Sequence, residues 1–246
     1  MKLFRKFRLK AVAQKKIKSY FKYSIGEILI VVIGVMIAVY LNNWNQAHQT
    51  NLEIETYFER IQEEITTNGE FIKGNSLITK DSMIPSLVIA RSIIINGQAD
   101  SLESLSKKIR FLTESESLSF QFPVIEEFVS KGYLSEINDP QLNKLITFFN
   151  YYKAQCNITD ETTRDYQIHL VKPFLLKNTR YADLDIYLDQ PILDEEGYRS
   201  LAQLLKNREA ENLISLYISH LTNSSANFDS LFDVLTQIHG RIEEIK

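Results

Sequence analysis

Residues able to do acid–base, nucleophilic or metal chemistry are few in this 246-residue chain, and their spacing keeps them apart. The four histidines are His48, His169, His220 and His239. Even the closest pair, His220 and His239, would lie roughly 28 Å apart along one helix, too far to share a metal ion. The single cysteine, Cys156, excludes an intrachain disulfide and any paired-cysteine zinc site. It falls on an apolar stripe with no histidine at helical contact spacing, so it reads as a small buried hydrophobe rather than a nucleophile. Two acidic clusters have structural explanations. Asp194-Glu195-Glu196 opens a helix, where carboxylates cap free N–H groups and complement the positive end of the dipole. Glu126 and Glu127 are neighbours on a helix and so face different sides, which makes them a poor carboxylate dyad. There is no glycine-rich phosphate loop, no Gly-x-Ser-x-Gly elbow, no His-Glu-x-x-His and no calcium-loop pattern. The expectation is a protein that is not an enzyme, with no catalytic residue, no cofactor and no metal.

The elements that would position a function are therefore more informative than any reactive group. Hydrophobic residues make up 44% of the chain and charged residues 24%, enough for a packed core and too apolar for disorder. Eight glycines and five prolines are well below ordinary usage, which argues against a turn-rich all-β architecture. From Met1 to Gly26 there are nine lysines and arginines and no acid. Ile28 to Leu41 then run without a charge, and extending back to Tyr23 adds only Glu27 as an ionisable group. That nineteen-residue span would cover roughly 28 Å as a helix, close to the hydrocarbon thickness of a bilayer. Tyr20, Phe21 and Tyr23 flank one end, Tyr40 and Trp44 the other, as interfacial aromatics do.

These features predict a basic cytoplasmic leader over residues 1–22 and a transmembrane helix over 23–44. A cleaved secretion signal fits less well, because Ala38-Val-Tyr40 has a bulky residue where a small one is needed. The positive-inside rule puts the amino terminus in the cytoplasm and everything after Trp44 on the far side. Aromatic and aliphatic residues interleave with the leader's cations, a pattern suited to a membrane surface with anionic headgroups. Two features could carry more than anchoring. Glu27 sits at the cytoplasmic shoulder, where an ionised group favours a cation, a partner or the headgroup layer. Gly34 and Ala38 form a small-xxx-small pair that permits close helix approach. Nine cations against one acid through Glu27 give +8, whereas the rest of the chain carries nineteen cations and thirty acids, or −11. The overall −3 conceals this asymmetry, and the acidic body makes nucleic acid an improbable partner.

The stretch Ile25-Gly-Glu-Ile-Leu-Ile-Val-Val-Ile-Gly-Val-Met-Ile-Ala-Val-Tyr-Leu-Asn-Asn-Trp-Asn45 resembles the anchor of an uncharacterised family of small single-pass bacterial inner-membrane proteins. That family pairs an Ile-Gly-Glu-Ile start with an Asn-Asn-Trp-Asn end. Phe122 to Tyr152 is similar to its second pattern, an aromatic-led helix reaching Lys131-Gly132-Tyr133-Leu134, then a polar turn and a leucine-rich helix with paired aromatics. The resemblance covers about a quarter of the chain. It implies a Gram-negative inner-membrane location and supplies no catalytic residues.

Residues 45–246 read as a helical domain. Ile54, Phe58, Ile61, Ile65, Asn68 and Ile72 repeat in steps of three and four, so the anchor helix can continue outward, with Asn68-Gly69 as its weak point. Pro85 suits the first turn of a helix over 84–96 closed by Asn96-Gly97, and Asp100 could cap the next. Ser115–Gln121 reads as a loop, and Pro123–Lys131 as a short helix ending at Gly132. Asp139-Pro140 starts a long helix whose stripe runs from Leu142 through Cys156, Thr159, Thr163 and Tyr166 to Leu170, stopping at Pro173. Alternation at Leu184, Ile186 and Leu188 suggests a strand or an extended connector. A last helix spans about 209–244, with its stripe from Ile214 to Ile245. The expected fold is all-α, one transmembrane helix followed by an extracytoplasmic bundle of long antiparallel helices. The functional expectation is a membrane-tethered interaction or scaffold protein of the bacterial envelope, with lipid, an envelope protein or a second copy as partners. The alternative is a ligand-binding or sensory bundle that relays through its span.

Overall fold

The computed structural model describes residues 17–113, 120–184 and 193–246, with the backbone alone at 17–23 and 182. The basic leader before Ile17, the serine-rich run after Glu114, and Ile186 and Leu188 lie outside the described residues. Every regular element among the described residues is helical, so the chain is all-α. It divides into two compact units, residues 1–56 and 57–246.

The first element is a 62-residue helix, α1 (Ile17–Ile78). Asn68-Gly69 does not interrupt it, contrary to the sequence expectation. A Cβ at Gly69 would meet the Phe232 ring at 3.4 Å, an ordinary van der Waals contact, and the helix runs through this position unbroken. A π-helical turn (Thr79–Met83) leads directly into α2 (Ile84–Asn96). Gly97 closes α2 with φ +64°, its N–H and that of Gln98 bonding to Ile94 and Ile93 carbonyls as a Schellman cap requires. A 3₁₀ turn (Ala99–Ser101) opens α3 (Leu102–Ile109), and Asp100 lies inside that turn. The residue flanking α3 is Ser101, and no side chain caps the helix, which corrects the role expected of Asp100.

After Leu112 and the aromatic strap of Phe120 and Phe122 come α4 (Pro123–Ser130) and α5 (Tyr133–Ile137), joined through Gly132 at φ +78°. The N-terminus of α4 is capped from a distance. Both oxygens of Glu64 on α1 accept hydrogen bonds, from Val124 N at 2.9 Å and Ile125 N at 3.0 Å. The long helix α6 (Pro140–Tyr166) begins as expected, with Asp139 accepting from Leu142 N at 2.6 Å.

Pro173 does not end this helix. A second π-helical turn (Gln167–Val171) carries the chain into α7 (Lys172–Asn178). The same device appears twice: Pro85 and Pro173 each stand two residues after a π-turn. A proline ring clashes with the carbonyl four residues earlier, which would be Asp81 or His169, the middle residue of each turn. Widening the turn by one residue moves that carbonyl away and lets the helix continue. The extra residue also shifts the buried face. Leu170, the expected end of the stripe, is 39% exposed, while Val171 is fully buried in its place.

Leu184 belongs to a 3₁₀ turn (Tyr181–Leu184), not to a strand. Asp194 then caps α8 (Glu195–Ala202) through Gly197 N at 2.9 Å, and Asn207 caps α9 (Arg208–Ile245).

Within residues 57–246 the long helices run antiparallel around α9. Asp139, Thr159 and Thr163 of α6 pair in descending order with Arg241, Asn227 and His220. On its other side, Gln62 reaches Lys246, Ser76 reaches Asp229, and Arg91 of α2 reaches Glu211 and Ser215. One end of the core is aromatic, with Phe122 edge-on to Phe149 at 4.9 Å and Phe58 against Phe128 at 5.9 Å. At the other end Leu87, Ile94, Ile109, Leu175, Leu201 and Ile214 form one apolar cluster. Between them the buried positions turn small and polar: Ser76, Thr79, Thr159, Ser224 and Ser225.

Candidate functional site

The most unusual surface is on α1 itself. Every large apolar side chain from Ile25 to Leu41 is open to solvent, ranging from 46% exposed at Ile33 to 70% at Tyr40. Soluble monomers do not leave a continuous apolar surface of this length uncovered. Among the described residues one helix is long and apolar enough to cross a membrane, and the apolar window on which that rests is wholly unburied. Burial therefore does not explain these side chains as a protein core would. Trp44 stands just beyond the apolar run, 63% exposed, with its ring stacked on His48 at 6.1 Å and 9° between planes. An indole with an apolar body and an N–H donor fits a boundary between hydrocarbon and water.

The other residues singled out on the span are placed as follows. Glu27 is half-buried and lines a shallow groove with Ser24, Ile28, Val31 and Val32. Gly34 and Ala38 are exposed one turn apart, and a Cβ built on Gly34 would meet nothing within 4 Å. Among the described residues no contact requires a small residue there, so the face is open to close approach by another helix or by lipid.

In the body, the groups that could do chemistry are mostly engaged structurally. Cys156 is buried, and burial pushes its thiol up to about 12, which leaves almost no thiolate at neutral pH. Glu126 pairs with Lys153, while Glu127 faces Arg60 and Lys131, so the two carboxylates are separated. Asp194 caps α8 and holds Arg180, which also grips the buried Asp183. Gly197 permits that node, since a Cβ there would stand 2.6 Å from Asp183 Oδ2. Among the described residues no group of three or more His, Cys, Asp or Glu side chains could hold a metal ion.

Two polar clusters went unread in the sequence. His220 meets Thr163 and Tyr166 across the seam between α6 and α9. Gln167 is almost fully buried and donates to both Leu112 O at 2.7 Å and Tyr217 Oη at 2.9 Å, with no hydrogen bond to its own Oε1. The Leu112 carbonyl fixes the orientation of that amide, because a flipped group would set two acceptors face to face. Gln167 stands four residues after Thr163, on the same inward face of α6 as Cys156 and Thr159, and is the first residue of the π-turn.

No family model, curated protein or solved structure matches this chain.

Proposed function

We propose that this protein is a membrane-tethered, non-catalytic interaction or scaffold protein of the bacterial envelope. Its span is residues 23–44, its basic leader is cytoplasmic, and its helical body lies in the periplasm. The observation that carries this reading is the exposed apolar face from Ile25 to Leu41, followed by Tyr40 and Trp44 at its outer end. Such a surface is stable in hydrocarbon and unstable in water. The charge asymmetry on either side of it supplies the orientation, since lysines and arginines resist translocation. The resemblance of Ile25–Asn45 to the anchor of small inner-membrane proteins supports the same placement. A partner protein or a second copy, rather than a substrate, suits a body whose acids serve as caps and ion pairs.

Protease treatment of intact spheroplasts tests the topology. The body should be cut from outside while an epitope at the amino terminus stays protected, and the full chain should resist carbonate extraction. Extraction by carbonate, or protection of Lys246, would overturn the reading. Crosslinking in native membranes tests the scaffold role, which requires a reproducible adduct of this chain with a protein or with itself.

A further inference from the structure

The seam between α6 and α9 contains a group whose protonation the packing opposes. Thr159 and Thr163, one turn apart on α6, donate their hydroxyl protons to Gln155 and Thr159 carbonyls, each at 2.9 Å. With their protons so placed, these hydroxyls face α9 as acceptors. Thr159 Oγ1 accepts from Asn227 Nδ2 at 3.1 Å, and Thr163 Oγ1 lies 2.7 Å from His220 Nε2. With the Thr163 proton on the Thr159 carbonyl, His220 donates from Nε2–H and Nδ1 is the site for an added proton. The ring is half-buried between Tyr166, at 5.1 Å and 61°, and Tyr217, at 6.3 Å.

The titratable and charged groups around it offer little compensation. On α6, Asp160 is hydrogen-bonded to Arg164 at 3.0 Å, and Tyr166 meets the imidazole edge-on with its ring. On α9 itself the contact is Tyr217. On the opposite side of α9, Arg91 of α2 is paired with Glu211, and Lys80 of the first π-turn with Asp229. Burial is what holds the His220 imidazole below the ordinary histidine value.

We propose that His220 makes the α6–α9 seam acid-labile. A proton taken up at Nδ1 puts a cation into a seam built of hydroxyls, an amide and tyrosine rings, and loosens α6 from α9 below neutral pH. The sign follows from linkage. The separated helices bind that proton more readily than the packed ones, so falling pH favours separation. Because the π-turn at Gln167–Val171 starts one residue after Tyr166, the loosening reaches the junction with α7.

Amide hydrogen exchange on the full-length protein, corrected for intrinsic rates, tests this between about pH 7.5 and about pH 5. Protection over residues 155–171 should fall several-fold on acidification in the wild type. H220Q retains an Nε2 donor for Thr163 but cannot titrate, and its protection should not respond to pH. A flat wild-type profile, or equal loss in H220Q, would overturn the proposal. An imidazole ¹⁵N titration of the wild type keeps the test decisive should H220Q fail to fold. It should show the Nε2–H tautomer and a midpoint below 6.5, whereas an Nδ1–H tautomer or a midpoint at or above that value would overturn it.

Discussion

Asp139 serves two helices at once, capping α6 through Leu142 N and holding Arg241 of α9. The Arg241 hydrogen bond, and then the backbone one, keep its carboxyl below the usual aspartate range. A carboxylate depressed in this way contributes stability that is present above its unfolded value and is lost as pH falls through its folded value. Asp139→Ala should therefore cost about 1 kcal/mol near neutrality for the cap alone. It should also shrink the loss of urea midpoint expected of the wild type below about pH 4. An acid limb as steep as the wild type's would show that the Arg241 contact contributes nothing. Gly197 makes a sharper residue-scale case. Gly197→Ala drives a methyl against the buried Asp183 carboxylate and should lower stability by about 1–3 kcal/mol. Gly240→Ala is the matched control, because its Cβ would meet nothing within 4 Å. In a helix that substitution should be neutral or stabilising by up to about 1 kcal/mol, read from the same denaturation curves.

Helices in this fold pass through prolines by widening rather than ending. Each π-turn holds one residue more than the α-helix needs, and that residue decides which side chains face inward downstream. Removing His169, an exposed member of the second turn, together with Pro173→Ala should restore an α-helical turn while leaving the registers on both sides intact. Removing Asn157, equally exposed but within α6, rotates one half of the helix by about 100° against α9. Thermal unfolding followed by circular dichroism should stay cooperative for the first variant and lose its cooperative transition for the second. The opposite order would show that the π-turn is not the point of slack. The Glu64 cap on α4 belongs to this scale too, since it ties a short helix to α1 through backbone groups that no local residue satisfies.

At the scale of the whole molecule the charge asymmetry and the bare apolar helix point the same way. Ile33→Arg puts a cation in the middle of the proposed span at a cost of about 2.5–3.5 kcal/mol for insertion. It should reduce the carbonate-resistant fraction without changing the helical signal of the body. Full retention in the membrane would argue that residues 23–44 do not span it. Most of the helices could be read from residue order because their determinants are local. Asp139-Pro140, Asp194 and Asn96-Gly97 act within a turn of themselves, and the stripes on α6 and α9 follow from the period of the helix. The long apolar helix was legible for the same reason, since its length and hydropathy are set by composition alone. Other features depended on contacts between residues far apart in the chain. Leu170 and Val171 exchanged places because a ring clash at Pro173 changed the turn before it, and no periodicity count includes that extra residue. The contact of His220 with Thr163, the hydrogen bond of Gln167 to Tyr217 and the far cap by Glu64 each require a partner at least fifty residues away. Local order determined where this chain is helical and which helix is long and apolar enough to cross a membrane; only the packed structure decided which polar groups meet inside it, because burial and hydrogen bonding are properties of the assembled neighbours.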